Sequence, residues 1–270
     1  MDTLPDAPPS HGQRWFFRLS AVLAAIAGGL LIFGADDTDE LFSWTIEPPL
    51  TAAFMGAAYW AAMVLLAWAA VQRSWVRART ALPAVFTIAL LLLIATVLHL
   101  DRFHHDLFGR FWEAVYVIVV PLLVFLTWSQ VRSVGPDPPR TRPLAGWLRV
   151  TLCLQALVMF GLGAALFAAP VDAASLWAWP LTPLTGRAVG AFLIGFAVAA
   201  AFAALENDLE RLHGAALAYA ALGALELGAV ALHSEDLTAS DAGTAAYVAF
   251  CVSVLAVGLY GALRLRRAAS

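Results

Sequence analysis

The sequence predicts an all-α polytopic membrane protein: eight transmembrane helices arranged as two parallel four-helix repeats. Three observations carry this reading. Hydrophobic residues make up 61% of the chain and charged residues 13%, where a soluble domain runs at about half apolar and a quarter charged. The apolar residues fall into eight nearly charge-free runs, 19–35, 48–72, 80–100, 114–131, 150–171, 188–205, 214–232 and 242–263, the seventh broken only by Glu226. Each is about long enough to cross a ~30 Å hydrocarbon layer as a helix. The second four runs also echo the first four. Adding 134 to a residue number carries Gly29 to Gly163, Phe33 to Phe167, Pro49 to Pro183, Thr51 to Thr185, Gly56 to Gly190 and His99 to His233. The runs are continuously apolar rather than alternating, which excludes barrel strands.

The elements follow in order. Residues 1–14 are polar and contain Pro5, Pro8 and Pro9, which predicts a flexible tail. The first repeat is expected over 15–131. Its first run follows Arg14 and Arg18, but no small-x-small cleavage site precedes Asp36, so it reads as a retained span. The second run opens on Pro48 and Pro49, and proline is accepted in a helix's first turn. The third ends at His99, and the fourth closes the repeat. Residues 132–146 hold four prolines and form a linker. The second repeat, 147–265, retraces the same order, with Pro183 and Thr185 opening its second span and His233 ending its third. Because each repeat contains four spans, the two run parallel and are expected to be related by an axis along the membrane normal. Gly28, Gly29, Gly161, Gly163, Gly186 and Gly190 offer small faces for helix contact. Trp15, Trp44, Trp112, Trp128, Trp147, Trp177 and Trp179 are expected as an interfacial belt.

Orientation follows from arginine, since the chain has no lysine. Thirteen of the sixteen arginines lie before the first run, after the last, or after the even-numbered ones. By the positive-inside rule both termini are cytoplasmic. The lysine-free, arginine- and alanine-rich composition suggests a GC-rich bacterial genome and so an inner membrane. The net charge of −3 gives no reason to expect nucleic acid as a partner. No G-x-x-x-x-G-K-[ST] loop is present for ATP, no C-x-x-C-H for covalent haem, and no H-E-x-x-H for zinc. Without lysine no Schiff base can form. Cys153 and Cys251 lie within spans, where small buried packing is expected rather than a disulfide.

Four features could carry function. Glu226 is a lone charge in mid-span, and such a residue is a functional candidate by default. Arg187 enters the first turns of the sixth span. The counterparts of Glu226 and Arg187 are Leu92 and Ala53, so both charges occur in the second repeat only. A buried ion pair between them is expected if the sixth and seventh spans are neighbours. Alternatively Arg187 extends to the interface and leaves Glu226 protonated, or the two serve a proton or solute site with His233. The histidines His99 and His233 are read as caps at helix C-termini; if the third and seventh spans line the symmetry axis, they could instead ligate haem iron or a divalent metal. His104 and His105, with His99 and Asp101, extend that set to H-x-D-x-x-H-H-D. The acidic run Asp36–Glu40 lacks the frame of a calcium loop and reads as a solvated loop.

The leading expectation is therefore non-enzymatic: binding or passage of a small solute or proton through the second repeat, in a lipid bilayer. The alternatives are a metal- or haem-binding redox protein using the histidine pair, and a structural subunit of a larger membrane assembly with no small-molecule site.

Overall fold

The computed structural model describes residues 7–104 and 106–269, the side chains of 108, 241 and 265–269 excepted. It is helical, with no strand among the described residues. Eight helical segments are long and apolar enough to cross a membrane, the third of them running over Trp75–Leu98; their main helices are α1 (His11–Phe33), α2 (Pro49–Ala70), α3 (Leu82–Leu98), α4 (Leu107–Val131), α5 (Gly146–Ala168), α6 (Pro183–Glu206), α7 (His213–Leu232) and α8 (Asp241–Ala269). This is a multi-pass membrane protein. An even number of crossings returns the chain to its starting face, here called the termini face; the opposite one is the distal face.

Helix ends obey local chemistry. The Ser10 hydroxyl accepts from the Gln13 amide, 3.2 Å, so α1 begins at His11. Ser10 N–H donates to Gln130 Oε1, 2.7 Å, and Trp75 N–H donates to the Ala7 carbonyl, 2.9 Å. Residues 7–10 are thus tied down, and 11–14 form the first turn of α1. Thr182 and Thr185 cap α6 reciprocally, which satisfies donors that a helix start leaves free.

The two most buried spans are α2 and α6, with 72% and 61% of their apolar stretches covered against 39% or less elsewhere. Both are apolar all round and rich in alanine and glycine, the composition of helices that sit inside a bundle. Helix α1 packs on α2 and α5 on α6, while α3 packs on α6 and α7 on α2. Each half therefore lends its third span to the other. Helices α6 and α7 lack close backbone contact although residues 207–212 alone join them, and α7 meets the third span only at the turn 79–81 that leads into α3. The sixth and seventh spans, expected as neighbours, are separated by this exchange.

Close backbone contact sets the α1–α2 and α5–α6 spacing. A Cβ on Gly28 would lie 2.9 Å from the Gly56 carbonyl oxygen, and one on Gly163 would lie 2.9 Å from that of Gly190. Gly29 faces open space. In packing terms Gly28, not Gly29, matches Gly163.

The expected tryptophan belt divides. Trp15, Trp128 and Trp147 are exposed, consistent with an interfacial position. Trp44, Trp112, Trp177 and Trp179 are buried inside the protein. There they make ring contacts with Phe42, Phe54, Tyr59 and Tyr247. The distal loops fold inward over the bundle and take Trp44, Trp177 and Trp179 with them, while Trp112 is buried from α4.

Candidate functional site in the second half

A cavity of about 800 Å³ lies within the second half, inside the size range of small-molecule sites. Helices α5, α6, α7 and α8 supply its walls, and Phe54 of α2 contributes one side chain. The distal loops, including Trp177, Trp179 and Ser240, line its outer end. It lies where α5 and α8, and α6 and α7, do not approach backbone to backbone.

Glu226 lines this cavity and is 4% exposed. The Tyr247 hydroxyl donates to its Oε2, 3.1 Å. Its Oε1 is buried without a partner. Trp177 Nε1, on the same cavity lining, is likewise buried without one. Among the described lining residues Glu226 is the only charged side chain; the rest are mostly aromatic, aliphatic or small.

The expected Glu226–Arg187 pair does not form. The Arg187 guanidinium donates instead to His99 Nε2, 2.7 Å. The physical reason is the exchange of third spans: α6, which carries Arg187, packs on α3, which ends at His99. Neither Arg187 nor His233 lines the cavity.

The histidines end α3 and α7, as read from sequence. Each backbone N–H closes the last turn, His99 onto Thr96 and His233 onto Ala229. They are not brought together as a ligand pair, because α3 and α7 pack on opposite halves. Burial, then the adjacent Arg187 cation, push the His99 imidazole below its ordinary pKa. A neutral ring accepting from a guanidinium is poorly placed to hold a metal cation. His104 is spent on the loops, with Nδ1 3.0 Å from the Phe42 carbonyl and Nε2 3.3 Å from the Thr45 hydroxyl. Asp101 lies 3.3 Å from Arg102, and His105 lies outside the described residues. Among the described residues no three His, Cys, Asp or Glu side chains converge as a metal centre. Asp236, three residues past His233, accepts from the Leu50 amide, 2.8 Å, at the start of α2.

The His99 contact gives a pH prediction. Its folded pKa lies below the unfolded value of about 6.5. Between the two, the unfolded chain binds more protons, so stability rises with pH. The contribution is complete above about pH 6.5 and is lost as pH falls through the folded pKa. His99→Gln keeps an acceptor for Arg187 but cannot titrate. Denaturation in micelles from pH 8 to 5 should show wild type losing more stability than His99→Gln on acidification, with the gap closing above about pH 6.5.

Two polar sets escaped the sequence reading. Beneath the cavity, Gln155 of α5 receives the Tyr219 hydroxyl of α7 at Oε1, 3.0 Å, and donates from Nε2 to Ser253 of α8, 3.0 Å. This bridge ties together three helices at the cavity floor. Below it, toward the termini face, an apolar space of about 70 Å³ is lined by the same four helices. At the termini face itself the loop from α6 to α7 forms a buried ion network. Glu206 and Arg211 pair while 5% and 4% exposed. Arg79 joins Glu206 and Asp137, and Arg140 Nε donates to the Glu206 carbonyl. Asp208 Oδ2 accepts from the Thr141 amide, 2.7 Å. Asn207, in the left-handed region at φ 50°, ends α6, and its Oδ1 accepts from Leu144 N. The linker is thereby held against the second half.

Comparison with models of protein families, with curated proteins and with solved structures finds no match to this chain.

Proposed function

We propose that the second half binds a small, largely apolar solute that enters from the distal face, and that passage toward the termini face is controlled at the Gln155 bridge. One observation carries the reading: an 800 Å³ intramembrane cavity holds a buried carboxylate with a free oxygen. A charge of that kind in lipid is costly and persists where it is used. The smaller apolar space on the far side of Gln155, Tyr219 and Ser253 supplies the second half of a route. A two-fold repeat is supported by the exchanged third spans and the two glycine contacts. The arginine distribution supports an inner-membrane orientation with both termini cytoplasmic.

The redox alternative is less well supported, since His99 and His104 each give a ring nitrogen to protein partners. A purely structural role leaves the free Glu226 oxygen unexplained.

Ala246 is exposed and lines the cavity. Ala246→Trp should fill it without crowding the α7–α8 contact. A panel of small amphipathic amines, alcohols and carboxylates, scored by thermal unfolding in micelles, should contain members that stabilise wild type by several degrees, as binding to the native state requires. The same members should leave Ala246→Trp unmoved. Equal shifts in both proteins, or none in either, contradict the reading.

A further inference from the structure

We infer that the solute taken by the Glu226 cavity is a hydrophobic organic cation, an amine or quaternary onium with an apolar body. The inference rests on the solute-binding reading above and names its chemistry. Three features of the cavity converge on it. First, Glu226 Oε1 is buried with no partner, and the other oxygen holds only the Tyr247 hydroxyl. An ionised carboxylate so placed needs a positive partner, because an uncompensated charge in a low dielectric is strongly unfavourable. Secondly, the protein supplies none. No Arg or His is among the described residues on the lining, and Arg187 is committed to His99 on the α3–α6 side. With no protein cation among the described lining residues, Glu226 when ionised is compensated only by a positive charge that the solute brings in. Thirdly, the lining is aromatic, and Tyr247, the partner of that carboxylate, belongs to the aromatic group. Trp177, Trp179 and Tyr247 form a mutually edge-to-face group with centroids 4.9–5.7 Å apart, and Phe54 joins both tryptophans.

Aromatic rings attract cations through their negative faces, most strongly when both are desolvated, and this favours weakly hydrated onium groups. An anion would meet the carboxylate directly and be rejected. A neutral solute of the same shape would gain the apolar contacts but leave Glu226 unpaired. The first half makes no such site: Leu92, which stands where Glu226 does, is a buried core residue.

The test uses the purified full chain in micelles and radiolabelled tetraphenylphosphonium, with tetraphenylborate as an anion of the same shape and triphenylphosphine oxide as a neutral analogue. Wild type should bind the phosphonium saturably, and neither comparator should displace it at matched concentration. Glu226→Gln keeps an acceptor for Tyr247 and should weaken phosphonium binding about ten- to hundredfold, the usual scale for losing a charged partner. Comparable competition by the borate or the oxide, or undiminished binding by Glu226→Gln, overturns the cation assignment. If the oxide binds wild type and Ala246→Trp abolishes that binding, the cation fails while the solute site stands. If no probe binds wild type, both fail. Should Glu226→Gln not fold, the preference of wild type between the phosphonium and the borate decides alone.

Discussion

Replacing Arg211 with alanine should lower the stability of the folded protein by about 3–5 kcal/mol, the scale of breaking a buried ion pair. Arg211 is 4% exposed and pairs with Glu206, 5% exposed; it also donates to the Pro138 carbonyl in the linker. Its removal strands a carboxylate away from water. Arg79 and Arg140 remain near Glu206 and should hold the loss toward the lower end. Arg77→Ala is the control. Arg77 pairs with Glu210 while 43% exposed, and exposed pairs contribute about 0–1 kcal/mol. Denaturant titration in mixed micelles measures both. Equal losses for the two variants would mean that Glu206 is solvated and that the network does not brace the linker.

The second large effect is steric. A Cβ added at Gly258 of α8 would sit 2.2 Å from the Ala220 backbone nitrogen, and one at Gly223 of α7 would sit 2.5 Å from that of Leu255. Backbone atoms in packed helices cannot step aside as a side chain can. Gly258→Ala and Gly223→Ala should each destabilise by about 1–3 kcal/mol or more through overpacking. Gly228, also in α7, has open space around it, and Gly228→Ala should change stability by no more than about 0.5 kcal/mol. Since α8 is a wall of the cavity, the first two variants should also weaken solute binding, and Gly228→Ala should not. A Gly258→Ala protein as stable as wild type would show that α7 and α8 are not in close contact.

Much of this was legible in the sequence because membrane spans are written in one property, continuous apolarity. All eight runs are helices, and both His99 and His233 end theirs. Glu226 stood out for the same reason: a single charge in an apolar run is visible without any structure. The partner of Arg187 was not legible. Sequence adjacency suggested α7, but the third spans cross between halves, and helix pairing in three dimensions leaves no trace in a hydropathy pattern. Gln155, Tyr219 and Ser253 were missed because uncharged polar residues do not interrupt an apolar run. The Glu206–Arg211 network was missed because the positive-inside argument counts arginines and ignores the acids between them. Trp177 and Trp179 sat at a span boundary, where tryptophan usually meets lipid; only the inward fold of the distal loop turned them into cavity lining.

Accessibility of the cavity from one face tests the account most directly. In a Cys153→Ser, Cys251→Ser background reconstituted in sealed vesicles of known orientation, Ala246→Cys should react with a membrane-impermeant thiol reagent added at the distal face. Occupancy by tetraphenylphosphonium should protect it. The distal-loop variant Asp37→Cys should react from the same face without protection. Reaction of Ala246→Cys from the termini face, or no reaction while Asp37→Cys is labelled fully, would contradict a solute chamber open to the distal side.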